Sequence, residues 1–570
     1  MAVSPLVTPR QWRLPLWLTP WLMAALGLAA VVMTPVVVVL WSLATPALGI
    51  WQHLLTTVLP TYLWNTLGLA VGVGIGVTVL GTATAWLVTL CEFPGRRYWT
   101  WALLLPLAAP AYVLAYTYTD FLEVGGPFQA WLRQTFSLQL GQYWFPPVRS
   151  LGGAILMLVL TLYPYVYMAG QVAFREQSQQ TTEVSRSLGC SPWQSFWRVA
   201  LPLARPSLAG GIALALMETL NDYGTVQFFG LDTLTTGIYR TWYGMGDRLA
   251  ASQLSALSVL VIIALLLWEQ GSRQRRRYYQ TFATHQPIQR YRLRGGWRLL
   301  AILTCAGPVI LGFLLPAAIL VYLALRNWQE SLNARFWGFA FNSFLLSSLA
   351  AVIIVLCALV LAYGQRQSRQ GPVGKLVHTA ATLAILGYGI PGTVIAVGIL
   401  IPLGAVDTWV DGLWRSWTGQ GTGLVLSGTL IALQFAYLVR FLAVAHTTLQ
   451  ASLIKIRPQW DEAARSLGHS TLATLWRVHI PLLSPGLVTA ALLVFVDVMK
   501  ELPATLTIRP FNLDTLAVRA FQMASDERLA DAMAPSLAIV LVGLVPVLLL
   551  NWQLQRSRPS DSSCFSTKNS

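Results

Sequence analysis

Apolar runs of about twenty residues, separated by short polar stretches, recur along the whole chain, and each can cross a ~30 Å hydrocarbon layer as a helix. The pattern predicts twelve spans, near residues 17–43, 63–90, 101–119, 151–172, 206–224, 250–270, 299–325, 342–364, 379–403, 422–443, 485–501 and 534–552. It then repeats itself. NTLGLA at Asn65 matches NSFLLS at Asn342, 277 positions on; LDTL at Leu231 returns at Leu513 after 282, and DRLA at Asp247 as ERLA at Glu527 after 280. Offsets that drift by so little indicate one six-span unit written twice with small loop insertions. Six is even, so both copies insert the same way up. The expected fold is an all-α polytopic membrane protein of about 12 transmembrane helices, two tandem six-helix repeats about a pseudo-two-fold axis along the membrane normal. The expected layout is a first membrane domain at 1–270, a basic cytoplasmic linker at 271–298, a second membrane domain at 299–556 and a polar tail at 557–570.

Composition agrees: 55% of residues are hydrophobic and 11% charged, against about 25% charged in soluble domains. The net charge of +16 is dispersed between the apolar runs, which excludes a nucleic-acid partner and reads as cytoplasmic Lys and Arg. With the N-terminus inside, the first-half cytoplasmic segments hold Arg10, Arg13, Arg96, Arg97, Arg175, Arg186, Arg198, Arg205 and the Arg273–Arg298 block, and the outer segments few. Both termini are therefore expected in the cytoplasm, with Arg275, Arg276 and Arg277 suited to membrane-lipid headgroups. The run from about Trp17 to Leu43 is too long for a signal-peptide core and is read as a retained first span. The five cysteines show no CxxC pairing, so neither a metal cluster nor a disulfide framework is expected.

Two polar segments interrupt this pattern in the same way. EVSRSLGCSPWQSFWRVALP, Glu183 to Pro202, follows the fourth span, and EAARSLGHSTLATLWRVHIP, Glu462 to Pro481, follows the tenth, 279 positions later. In each, helix formers lead to a glycine able to turn at positive φ, then a short helical stretch and a proline suited to starting a span. Trp193, Phe196, Trp197 and Leu201 form an apolar stripe matched by Leu472, Leu475, Trp476 and Ile480. One such segment alone would suit an amphipathic helix lying on the bilayer; two at one topological position point to a docking element.

The frame of Glu183, Gly189, Val199, Leu201 and Pro202, and of Glu462, Ala463, Ala464, Gly468, Val478, Ile480 and Pro481, resembles the EAA loop of ATP-binding cassette importer permeases. Val184 and Ser185 depart from the usual alanines. The resemblance implies that these loops couple to two ATPase subunits which bind ATP, and that the chain sits in a bacterial inner membrane. The sequence carries no GxxxxGK[ST] loop of its own, GPVGKL at Gly371 lacking both the first glycine and the Ser/Thr. It is therefore read as a transport subunit and not an enzyme, with no cofactor bound. GVGIG at Gly72 is read as a packing face between spans.

The fifth and eleventh spans carry acids related by the repeat: Glu218 with Asp497 and Asp222 with Glu501. Four positions apart, each pair is expected to share a helix face. Two readings stand. The acids line a substrate path, where carboxylates suit a hard cation, or they are structural, with Lys500 neutralising Asp497. METLNDYGTVQFFG, TGIYRTWYGMGD, DVMKELPATLTIRPFNLDTLAVRAF and AYVLAYTYTDFLEVGGPFQ resemble the fused permeases of ferric-iron importers. That implies a periplasmic iron-binding protein as partner and Fe(III) as cargo, moved by ATP-coupled alternating access. Tyr112, Tyr116, Tyr118 and Asp120 then read as an interfacial aromatic belt or as transient oxygen ligands, and His469 and His479 have no metal role. The alternatives are another small solute (thiamine, a polyamine or a phosphonate) on the same architecture, and a secondary transporter driven by an ion gradient.

Overall fold

The computed structural model describes residues 19–46, 48–176, 187, 189, 191–274, 290–326, 329, 332–367 and 371–556. Among them, eleven helices are long and apolar enough to cross a membrane, and a bent pair raises the number to twelve. The chain is thus an all-α, multi-pass membrane protein. The only β pairing among the described residues is a two-residue parallel bridge, Cys91–Glu92 with Tyr291–Arg292, which ties the end of the linker to the end of the second span. Arg275 to Arg277 lie outside the described residues.

The bent pair replaces the predicted third span. Arg96–Ala108 and Ala111–Phe136 meet at 88°, with Ala109 extended before Pro110. Proline has no N–H to continue the ladder and forces the residue before it out of the helical region. The ninth span departs from expectation for the same reason. Gly371–Ala384 passes through a 3₁₀ turn at Ile385–Gly389 and stops, and the spanning helix starts beyond Pro391, at Gly392–Thr418, not at residue 379.

The fold comprises two compact units, one of Met1–Thr34, Ala351–Tyr388 and Leu438–Val494, the other of Pro35–Ala350, Gly389–Tyr437 and Phe495–Ser570. In the larger unit the second span, Leu59–Leu90, packs along the fourth, Leu151–Arg175. A Cβ on Gly72 would come within 2.5 Å of Ile155, and one on Gly76 would overlap Val159. The glycine run is a helix-packing face, as its spacing suggested. Elsewhere in this unit Gly543 of the twelfth span rides directly on the Ala108 carbonyl at the break of the third. Gly543→Ala, which would drive a methyl into that backbone oxygen, is expected to cost about 1–3 kcal/mol and to lower the melting temperature in detergent. Gly27→Ala, where a methyl meets nothing within 4 Å, is expected to leave it unchanged. In the smaller unit the first and eighth spans touch through Trp21 on Tyr363, with ring centroids 4.8 Å apart.

Candidate functional site

The second repeated segment is a helix, Gln459–Ser466, a glycine turn and a four-residue helix, Thr471–Thr474. Gly468 has φ +78°. Its N–H donates to Arg465 O, and the His469 N–H to Ala464 O at 3.0 Å, the double bond of a Schellman cap. A Cβ at Gly468 would meet nothing within 4 Å, so the backbone angle alone calls for glycine. The motif glycine therefore sets where the helix carrying Glu462 ends. Gly189, at φ +77°, makes the same left-handed turn in the first copy. Glu183, Val184 and Ser185 lie outside the described residues.

The helix has two faces. Glu462 and Ala463 are exposed and Ala464 is buried. Beside Glu462 four large apolar side chains are exposed, Trp460, Leu467 (76% exposed), Leu472 and Trp476 (63%), interspersed with exposed Gln459, Arg465, Ser466 and Arg477. Trp193 and Trp197 are likewise exposed in the first copy. Large apolar side chains left exposed beside an acid suit a contact surface.

Both segments join their spans through the same irregularity. A π turn occupies Phe196–Ala200 and another Leu475–His479, where Leu201 N–H reaches back to Phe196 O and Ile480 N–H to Leu475 O. Pro202 and Pro481 follow at once. A proline ring clashes with the carbonyl four residues back in an α turn, and the wider turn relieves that clash. Pi turns of this kind gather at functional places. Leu201 and Pro202 are half-buried, as is Ile480, and Pro481 is exposed.

The paired acids depart from expectation. The fifth span ends at Asn221 and the eleventh at Met499, so Asp222 and Glu501 lie past the helix ends and do not share a helix face with Glu218 and Asp497. Each instead caps the short helix that follows. Asp222 accepts from Thr225 N at 3.0 Å, Val226 N at 3.1 Å and the Thr225 hydroxyl, ahead of Gly224–Phe228. Buried Glu501 accepts from Ala504 N and Thr505 N, both at 2.9 Å, and from the Thr505 hydroxyl, ahead of Pro503–Ile508. Asp497 is paired with Lys500 at 2.9 Å. Glu218 is half-buried and within electrostatic reach of both Lys500 and Asp222. Among the described residues no three His, Cys, Asp or Glu side chains converge as a metal site, so the four carboxylates are not gathered into a cation cage.

The two short helices meet on the third span. A Cβ on Gly224 would lie 2.8 Å from Tyr112 and 2.9 Å from Leu502, and the Tyr112 hydroxyl donates to Lys500 O at 3.2 Å. Tyr112, Tyr116 and Tyr118 are all buried, which removes the aromatic-belt reading. Tyr116 packs on Phe228 at 4.7 Å, and its hydroxyl has no hydrogen-bond partner among the described residues.

Sequence reasoning missed one cluster altogether. Arg366, at the end of the eighth span, donates to Asp461 Oδ2 from Nε at 3.1 Å and from Nη2 at 2.7 Å, and His479 Nε2 stands 2.9 Å from Asp461 Oδ1. The one signal was an aspartate placed directly before the motif glutamate.

A capped loop in the second half, a left-handed glycine turn at the related place in the first and a π turn behind each make one repeated element of a helical membrane protein. The chain belongs to the family described as the binding-protein-dependent transport system inner membrane component, whose profile matches residues 76–277 and 368–560, once in each half. It is 28% identical to the Fe(3+)-transport system permease protein FbpB 2 of Haemophilus influenzae over 490 residues, 85% of this chain and 88% of that one. It is 24% identical to the ferric transport system permease protein FbpB of Actinobacillus pleuropneumoniae, over 86% of this chain and 70% of that one. The sulfate transport system permease protein CysT of Escherichia coli matches a shorter stretch, 31% identical over 26% of this chain and 51% of its own. The resemblance to fused ferric-iron permeases holds over nearly the whole length.

Proposed function

We propose that this chain is the membrane pathway of an ATP-driven importer, lying in a bacterial inner membrane with both termini in the cytoplasm. A periplasmic binding protein delivers Fe(III), and one ATPase subunit docks under each half. The halves are residues 1–270 and 299–556, joined by a linker at 271–298 and followed by a tail at 557–570. The observation that carries this reading is the capped Gly468 loop, matched by the left-handed turn at Gly189, with Glu462 exposed beside Trp460, Leu467 and Trp476. Glu183, Gly189, Leu201 and Pro202 form one socket; Glu462, Ala463, Ala464, Gly468, Ile480 and Pro481 form the other. ATP itself is bound and hydrolysed on the partner subunits.

ATP binding draws the two sockets together, and the π turns transmit that movement to the fifth and eleventh spans. Glu218 and Asp497 border the cargo path on those spans, while Asp222 and Glu501 hold the short helices at its rim. Iron is favoured as cargo by the long-range likeness to the two ferric permeases. Sulfate is the competing cargo, on the shorter likeness to CysT. In proteoliposomes carrying the chain, its ATPase subunits and its binding protein, ATP-dependent accumulation of radiolabelled Fe(III) is expected. Accumulation of sulfate with no uptake of iron would reassign the cargo and leave the importer reading intact.

A further inference from the structure

We propose that Arg366, Asp461 and His479 form a clamp that makes the second coupling loop rigid with its membrane helices, built from side chains whose counterparts in the first copy are not ionisable. The inference rests on the importer reading above.

The buried Arg366 guanidinium, 8% exposed, divides its donors between two targets. Besides its two bonds to Asp461, it donates to Leu453 O at 2.9 Å and to Ile456 O at 3.1 Å. Leu453 lies in the last turn of the tenth span, Leu430–Ile454, and Ile456 just beyond it, where helix carbonyls run out of intrahelical donors. One side chain of the eighth span therefore ties the tenth span to the first turn of the coupling helix. Asp461 sits in that first turn, where the helix dipole favours an anion. Its other oxygen lies against His479, which is 0% exposed and closes the π turn leading into the eleventh span. The contact lacks hydrogen-bond geometry and burial disfavours the charged imidazole, so His479 joins the clamp by packing. Three residues before Arg366, the Tyr363 hydroxyl donates to Thr471 O at 2.9 Å, and its ring packs on His479 at 5.4 Å.

The eighth span thus grips the loop on both sides of Gly468: Asp461 before it, Thr471 and His479 after it. A left-handed glycine between two short helices is otherwise free to hinge. With both sides held, a push on the neighbouring Glu462 moves the eighth, tenth and eleventh spans as one piece. A planar arginine fork suits this task, and lysine, a single ammonium, cannot bridge the same four acceptor contacts.

The first copy is built differently. At the positions related by the repeat stand Thr89, Thr182 and Ala200, none ionisable, with Thr182 outside the described residues. Trp86 replaces Tyr363 and packs on Phe196 at 4.9 Å and on Tyr291 of the linker at 6.2 Å. Among the described residues, aromatic rings pack at this place in the first copy, and a buried arginine–aspartate pair stands there in the second.

The test uses the assembled transporter in proteoliposomes and reads solute moved per ATP hydrolysed. Asp461→Asn and Arg366→Lys are expected to keep ATPase activity in the assembled complex and to lower that ratio about tenfold. Tyr363→Phe, which removes one hydroxyl and should fold normally, is expected to lower it by a smaller factor. Thr182→Val, the first-copy control, should leave it unchanged. Variants that assemble in smaller amounts yet move the wild-type quantity per ATP would show a merely structural role and overturn the clamp. An equal loss in Thr182→Val would overturn the asymmetry. A wild-type complex with no ATP-dependent uptake would instead overturn the importer reading on which the clamp rests.

Discussion

Reversing both motif charges, Glu183→Arg with Glu462→Arg, is expected to reduce ATP-driven uptake at least about a hundredfold while the protein still inserts and folds. Glu462 lies exposed in the first turn of Gln459–Ser466. Within the chain its replacement forfeits only an anion at a helix N-terminus, about 0.3–1 kcal/mol. In a docked complex the same acid is covered by the partner, along with Trp460, Leu467 and Trp476. Breaking one hydrogen-bonded charge in such an interface costs about 2–5 kcal/mol, and reversal adds repulsion. Two sockets altered together should release the ATPase subunits, read as their loss on co-purification alongside uptake. Normal ATP-driven uptake in the double variant would remove the docking role from both loops.

The second large effect concerns the acids at the rim. Glu501→Ala is expected to unfold the region around Pro503–Ile508, lowering the melting temperature in detergent and abolishing uptake together. Two buried backbone N–H groups lose the carboxylate that accepts from them, each costing about 1–3 kcal/mol, and the Thr505 hydroxyl loses one of its partners. Glu218→Gln is expected to behave differently, with an unchanged melting temperature and reduced iron uptake, because Glu218 caps no helix among the described residues. Parallel losses of stability in both variants would make all four acids structural. Normal uptake in Glu218→Gln would remove that residue from the path.

The spans, the repeat and the glycine turns were readable in the chain because each is a local signal: a run of apolar residues, a recurrence at fixed offset, a residue type that alone accepts a backbone angle. The breaks in the third and ninth spans were passed over because Pro110 and Pro391 sit inside apolar stretches, where hydropathy is blind to backbone hydrogen bonding. The same blindness put Asp222 and Glu501 on helix faces. The short polar pieces Asn221-Asp222 and Lys500-Glu501 end their helices, and a spacing of four means a shared face only while the helix lasts. The Arg366–Asp461–His479 clamp had no local signature, since its members come from three separate segments and are brought together only by tertiary packing.

The π turn at Leu475–His479 also makes the joint sensitive to length. An α-helix advances about 100° per residue, and a π turn absorbs one extra residue as a bulge, so the helices on either side keep their bearing. Deleting a single residue there would restore an ordinary turn, leave the bearing of Gln459–Ser466 largely as it was and set the Pro481 ring against the carbonyl of the turn before it. Adding one residue more than the bulge holds would instead swing the loop by about a quarter-circle. The matching wedge at Phe196–Ala200 puts the first joint under the same constraint. Length changes of one residue should therefore be far less tolerable at these two places than longer insertions in the outer loops.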